Sequence, residues 1–143
     1  MPRIVSCRRE HLEAVIELLH DAGLSSEGVQ EHPRHYWVAQ AGAEVVGAVG
    51  LEPHGEAALL RSLVVREDRR RGGLGAALVR RALKEGRRLG TRQIVLVTVG
   101  AAEFFRRYGF EPVDIERVPE KVRESTGFRV SEPGRGVCMR INF

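Results

Sequence analysis

Arg70, Gly72, Gly73 and Gly75 stand in a short segment between an apolar run, Leu59 to Val65, and an amphipathic stretch that opens Leu74-Gly75-Ala76-Ala77-Leu78. Glycine lets backbone approach a ligand closely, and a helix that starts at such a loop aims its unpaired N–H groups back at it. The chemistry implied is the binding of phosphate, best a pyrophosphate. Two familiar phosphate loops are excluded residue by residue. A Walker loop needs Lys and then Ser or Thr after its last glycine, where this chain has Ala76 and Ala77 after Gly75. A dinucleotide fingerprint needs three glycines spaced G-x-G-x-x-G, and Gly73-Leu74-Gly75 lacks the third.

These residues need a scaffold. At 143 residues the chain is long enough for one domain with a sizeable core, and no linker or repeat divides it. No segment approaches the roughly 18 apolar residues of a membrane span, and Met1-Pro2-Arg3 runs directly into strand-like Ile4-Val5 without a leader's apolar stretch. A cytoplasmic protein is expected, with no membrane partner. Cys7 and Cys138 lie near opposite ends without metal-ligand spacing, so neither a disulfide framework nor a metal site has support. The net charge of +4 comes almost wholly from arginine. Those arginines are interleaved with glutamate, as in Arg8-Arg9-Glu10, and no aromatic-interleaved basic tract occurs, so a nucleic-acid partner is not expected.

Periodicity sets the order of elements. Arg3 to Ser6 is a short strand, and Leu12, Val15, Ile16 and Leu19 recur at helical spacing until Gly23, a natural cap. Ser25 to Arg34 is polar and predicts a short second helix or lid against substrate. Tyr36 to Gln40 and Glu44 to Leu51 form a hairpin that turns at Gly42, and Leu59 to Val65 is the next strand. Leu78, Val79, Ala82 and Leu89 line one face of a helix ending at Gly90, and Gln93 to Val99 is a buried strand. A short helix then passes through Phe104 and Phe105. The tail holds a short helix at Glu120 to Glu124 and a final strand at Val137 to Ile141. The fold class is α/β, a mixed central sheet with helices on both faces.

Arg70, Gly73 and Gly75 also fill the pattern Gln or Arg, two residues, Gly, one residue, Gly or Ala. In this the segment resembles the acetyl-CoA loop of the GNAT N-acetyltransferases, and the likeness extends from Ile4 to about Phe110. The resemblance implies a GNAT domain over residues 1–143, in which the Leu63–Val65 and Ile94–Val99 strands are parallel neighbours that splay apart. It implies acetyl-CoA as cofactor, held by Leu63, Val64 and Val65, by Arg70, Arg71, Gly72, Gly73, Leu74, Gly75 and Ala76, and by Phe105. It implies direct acyl transfer: an amine loses its proton and attacks the thioester, and the CoA thiolate is protonated as it leaves. A backbone N–H near Leu63 or Val64 would stabilise the developing oxyanion.

The family's thiol-protonating tyrosine falls, on aligning Gly109-Phe110, at Phe105, which has no proton to give. Tyr108 lies three residues along and reaches the thiol only if that helix is rotated. For the base the candidates are Glu52, His54 and Glu56, expected to leave the hairpin at the mouth of the splay, and Glu103, with Glu52 foremost. Strand alternation points Arg61 away from the face shared by Leu60 and Ser62. A guanidinium inside an apolar strand needs an anionic partner or an exit to water, so Arg61 either forms an internal salt bridge or grips a substrate carboxylate or phosphonate. Ser62 and Thr98 complete the expected acceptor site.

Within the family, the runs Leu51 to Gly55 and Ala58 to Leu63, with Thr98 and Phe104-Phe105, are similar to the short amino-acid N-acetyltransferases. That group includes glutamate-acetylating enzymes and arsenic-resistance acetyltransferase-like proteins acting on arsinothricin or phosphinothricin. Three places depart from it. Arg71 stands where a glycine usually follows Arg70, Val99-Gly100 replaces a Thr-rich run, and Glu132-Pro133-Gly134-Arg135 replaces a Cys-Pro-x-Ser segment. The expected function is acetylation of a small amine, an acidic amino acid such as glutamate or its phosphorus or arsenic analogue. The alternatives are a non-catalytic acetyl-CoA-binding module, or acetylation of a peptide or polyamine. The tail from Pro119 to Phe143 would cover the acceptor side or build a homodimer contact.

Overall fold

Alternation of buried and exposed residues along the chain builds a mixed sheet covered on both faces. The computed structural model describes residues 2–31 and 35–143. Strand β1 (Arg3–Ser6) leads to helix α1 (Leu12–Asp21), and β2 (Tyr36–Ala41) and β3 (Glu44–His54) form a hairpin whose turn holds Gly42 at φ 64°. β4 (Ala57–Val65) returns antiparallel to β3, helix α2 (Leu74–Arg88) crosses over, and β5 (Gln93–Thr98) lies parallel to β4. Helix α3 (Ala102–Arg106), strand β6 (Glu111–Pro112), helices α4 (Glu120–Arg123) and α5 (Thr126–Val130), and strand β7 (Val137–Asn142) follow. The order across the sheet is β1-β2-β3-β4-β5-β7-β6, with β7 antiparallel to both its neighbours.

One face of the sheet presents Trp37, Leu51, Leu60 and Leu96 to α2 and α3, whose Leu78, Val79, Ala82 and Phe105 fill the space above. The other face is divided. Tyr36, Val38, Ala48 and Val64 meet Val15 and Leu19 of α1, while Leu59, Val95 and Cys138 meet Val122 of α4 and Phe128 of α5. Each fully buried aliphatic side chain contributes about 1.5–3 kcal/mol, so these clusters hold the layers together. α1 stops because Gly23 takes φ 74° and the Leu24 N–H closes back on the Leu19 carbonyl at 2.8 Å. Gly86 lets α2 lie low on the sheet, since a Cβ there would stand 2.8 Å from Ile94 Cδ1. Glu85 anchors the same helix. It accepts from Arg81 Nε at 2.9 Å and Arg88 Nε at 2.7 Å, and Arg81 Nη1 donates to the Ile4 carbonyl at 3.3 Å.

The elements depart from the periodicity reading in four places. α2 ends at Arg88, so Leu89, expected on its apolar face, lies beyond it and is 44% exposed. β5 ends at Thr98, leaving Val99 54% exposed. β3 does not end at Leu51: Glu52, Pro53 and His54 stay in the strand, opposite Leu59, Ala58 and Ala57, and the turn falls at Gly55 and Glu56. Pro53 is tolerated because β2 begins at Tyr36, opposite Gly50, and beyond that point no strand among the described residues pairs with the far side of β3. Of the expected lid from Ser25 to Arg34, the described residues show a single 3-10 turn at Val29–Glu31, and positions 32–34 lie outside them.

Candidate active site

β4 and β5 pair only at Ala57, Ala58 and Leu59 against Gln93, Ile94 and Val95, and then part. A cleft of about 760 Å³ opens between them, walled by residues 60–63 of β4 and 96–99 after the parting of β5, with Phe104 and Phe105 of α3 alongside. A slip in register accompanies the parting. Arg61 stands opposite Gly50 and Val64 opposite Ala48, so Ser62 and Leu63 together face Val49, a bulge that bends β4. Ser62 sits at φ 60°, and its Oγ lies 3.0 Å from Tyr36 Oη. This corrects the expected alternation. Ser62 shares the Arg61 face rather than the Leu60 face, because the bulge inserts one residue and resets the period that alternation assumes.

At the end of β4 the glycine loop is clamped by Arg70, whose Nε donates to the Val65 carbonyl at 2.9 Å. Gly73 caps α2 at φ 83°, and no atom lies within 4 Å of where its Cβ would be. The first helical hydrogen bond is that of the Ala77 N–H to the Gly73 carbonyl, at 3.1 Å. The amides of Leu74, Gly75 and Ala76 therefore precede any acceptor within the helix, where the helix dipole adds positive potential. Arg71 occupies the left-handed region at φ 69°, the conformation that explains why glycine is usual at its position. Arg69 and Arg71 are exposed around this cradle, which suits a phosphate-bearing ligand.

Glu52 and Arg61, expected as base and clamp, meet each other. Arg61 Nη1 donates to Glu52 Oε2 at 3.0 Å, both side chains are at most 4% exposed, and Arg61 Nη2 donates to the Ser25 carbonyl at 3.3 Å. His54 Nε2 stands 3.7 Å from Glu52 Oε1. Two glycines let other segments close on the pair: a Cβ on Gly127 of α5 would come within 2.5 Å of Glu52 Oε1, and one on Gly28 within 3.3 Å of Arg61 Nη1. Glu52 and His54 were expected at the mouth of the splay. They lie instead at its closed end, opposite Leu59 and Ala57, because β3 runs on past Leu51. Arg61 lines the cleft, and Glu52 and His54 do not. Glu56 and Glu103 are exposed and stand 3.6 Å from Arg92 and 3.4 Å from Arg106 respectively.

Phe105 and Thr98 line the cleft, and the Thr98 hydroxyl accepts from the Ala101 N–H at 3.2 Å. Tyr108 is outside the lining. Its ring centre lies 5.3 Å from that of Phe104, and the Arg80 guanidinium covers it at 5.9 Å. The far wall holds residues that the sequence reading did not assign: Ser25 from the loop after α1, and Ser131, Glu132 and Arg135 after α5. Glu132, at φ 59°, turns the chain so that Arg135 Nη1 reaches its carboxylate at 2.9 Å, with the Arg135 side chain 70% exposed. Tyr36 was also unassigned. Its burial pushes its hydroxyl up to about 12 and places it beneath Ser62. The one trace of it in the sequence is Gly50, opposite Tyr36 in the hairpin register.

A family model described as an acetyltransferase (GNAT) domain matches residues 32–112. An uncharacterised N-acetyltransferase of Chlorobaculum tepidum is 30% identical over 119 residues, covering 82% of this chain and 74% of that protein. The amino-acid acetyltransferase of Pseudomonas aeruginosa is 29% identical over 119 residues, covering 77% of this chain but 28% of that longer protein. Among solved structures, Rv2747 of Mycobacterium tuberculosis in complex with CoA superposes with a TM-score of 0.85 at 23% identity, over 99% of both chains. N-acetylglutamate synthase of Neisseria gonorrhoeae, complexed with coenzyme A and N-acetyl-glutamate, gives 0.85 at 17% identity, over 99% of this chain and 35% of that one.

Proposed function

The chain belongs to the GNAT acetyltransferase family, and from that premise we propose an acetyl-CoA-dependent N-acetyltransferase whose acceptor is a small anionic amine, an acidic α-amino acid such as glutamate or its phosphorus or arsenic analogue. The observation that carries this reading is the wedge between β4 and β5, which opens beyond Leu59 and Val95 beside the strand, β4, whose chain runs on into the glycine loop. The residues present fit the cofactor. The amides of Leu74, Gly75 and Ala76 and the open space at Gly73 suit its pyrophosphate, and the parted edge of β4 offers backbone groups to its amide-bearing arm. Bound acetyl-CoA supplies a thioester carbonyl activated toward amines. Ser62 and Leu63, at the bulge, line the wedge, and their backbone amides would be the donors for that carbonyl oxygen.

The acceptor half is read from side chains. Arg61, neutralised by Glu52, forms a fixed floor, and Arg135 offers an exposed guanidinium that an incoming carboxylate takes over from Glu132. Ser25 and Ser131 add polar groups beside it. In this reading Glu52 is the counter-ion of Arg61, and the amine arrives unprotonated from solvent. Tyr108 packs between Phe104 and Arg80, and the departing thiolate takes its proton from water. The amino-acid acetyltransferases among the relatives, and the acetylglutamate complex among the structures of like fold, support an amino-acid acceptor.

The test is CoA thiol release with glutamate, aspartate, phosphinothricin, a polyamine and a lysine peptide, beside calorimetric binding of acetyl-CoA. Turnover confined to the acidic amines is expected. Turnover confined to polyamine or peptide overturns the acceptor assignment, and binding of acetyl-CoA without release on any amine returns the chain to a binding module.

A further inference from the structure

We infer that Tyr36 is a positioning residue for acyl transfer: its hydroxyl holds Ser62 in the left-handed conformation that makes the β4 bulge, and so sets the amides of the cleft wall. This rests on the acetyl-transfer reading above. Ser62 is the one non-glycine residue at positive φ inside a strand among the described residues, the others, Arg71 and Glu132, being in turns. An L-residue avoids that region unless the surroundings hold it there. The holding contact is the 3.0 Å hydrogen bond between Tyr36 Oη and Ser62 Oγ.

The hairpin is shaped to make that contact. Tyr36 is fully buried, so its hydroxyl needs a partner, and the partner is the bulged serine on the next strand but one. Its ring reaches across β3 only because position 50 is glycine: any Cβ there would collide with the Tyr36 ring. Neither Tyr36 nor Gly50 lines the cleft, whereas Ser62 and Leu63 both do. The phenol therefore acts through Ser62. Tyr36, Gly50 and Ser62 form a line from β2 across β3 to the β4 wall of the wedge. Without the hydroxyl, Ser62 relaxes toward extended backbone, the bulge redistributes, and the amides turn from the wedge.

The experiment compares Tyr36→Phe in the natural background and in Ser62→Gly, where glycine adopts positive φ unaided. In the natural background kcat is expected to fall about tenfold, with the KM for acetyl-CoA changed less than twofold. In the Ser62→Gly background the same substitution should change kcat less than twofold. Equal losses in both backgrounds would overturn the inference, because Tyr36 would then not act through Ser62. The second readout is the backbone amide resonance of Leu63 in the ligand-free protein, which should move in Tyr36→Phe and not move further when Ser62→Gly is already present. An unmoved Leu63 amide in Tyr36→Phe overturns the inference by itself. That readout needs no acceptor, so silence toward acidic amino acids would count only against the acceptor assignment.

Discussion

On the cofactor side, Ser62 and Leu63 of the cleft wall run on along one stretch of chain into the glycine loop that ends at Ala76, whereas the acceptor side gathers Ser25, Arg61 with Glu52, Ser131 and Arg135 from well-separated segments. The first wall works through backbone: a bulge, a parted strand edge and the amides of a helix start, which side chains influence mainly by being small. The second works through side chains whose charges must be matched. A backbone cradle is therefore sensitive to Cβ atoms and indifferent to distant residues. A side-chain floor is sensitive to losing one partner and tolerant of losing both.

The largest expected effect on ligand binding is at the cradle. Gly73→Leu places a side chain at φ 83° in the space meant for phosphate, with nothing nearby to clash with the fold. Acetyl-CoA affinity measured by calorimetry should fall at least about a hundredfold, or about 2.7 kcal/mol, while the fold loses the roughly 1–2 kcal/mol that a left-handed leucine costs. Unchanged affinity would break the account of that wall. The floor should answer differently. Arg61→Met takes the guanidinium away from the buried Glu52 carboxylate and should destabilise by about 3–5 kcal/mol in urea unfolding, whereas adding Glu52→Leu should recover most of the loss. If the double variant is no more stable than the single, the pair is not the self-contained unit described.

A smaller effect sharpens the contrast at the mouth. Arg135→Gln should raise the KM for glutamate about tenfold, or about 1.4 kcal/mol, and leave the KM for acetyl-CoA unchanged. An equal rise for both substrates would remove Arg135 from the acceptor side. The smallest effect concerns the helix behind the cradle. Arg88, then Arg81, hold the Glu85 carboxylate below its ordinary value of 4.5, against the opposing pull of burial. A lowered folded-state value means that the stabilisation is present above that ordinary value and is lost as pH falls through the lower one. Glu85→Gln should therefore lower stability by about 1 kcal/mol at neutral pH. The gap to the natural protein should close on acidification, followed by thermal unfolding. A gap independent of pH would mean that packing, not charge, anchors α2.

The cofactor wall was legible because its signature is local. Arg70, Gly73 and Gly75 lie within six residues of one another, so a short window of sequence holds the whole pattern. The acceptor side was legible only as residue types. Arg61 announced that it needed a partner, and Glu52 was singled out, but nothing local said that the two would pair. Glu44 to Leu51 read as the whole strand, yet β3 continues through Pro53, where no strand among the described residues flanks it on the β2 side. Strand alternation misplaced Ser62, since period two assumes no bulge. Ser25, Ser131 and Arg135 were legible only as parts of segments, a lid from Ser25 to Arg34 and a tail over the acceptor side, because which polar residue of a loop enters a cleft is set by packing.

The sequence by itself determined the layered α/β order, the glycine loop between β4 and α2, and a phenylalanine rather than a tyrosine at position 105. Each depends on residues within a few positions of one another, where backbone preference and periodicity act directly. Only the tertiary structure decided that β4 and β5 part after Leu59, that Glu52 neutralises Arg61, and that Tyr36 lies under Ser62 across two strands. Those outcomes turn on register, and register is set by the combined packing of many side chains, a quantity that no short window of sequence contains.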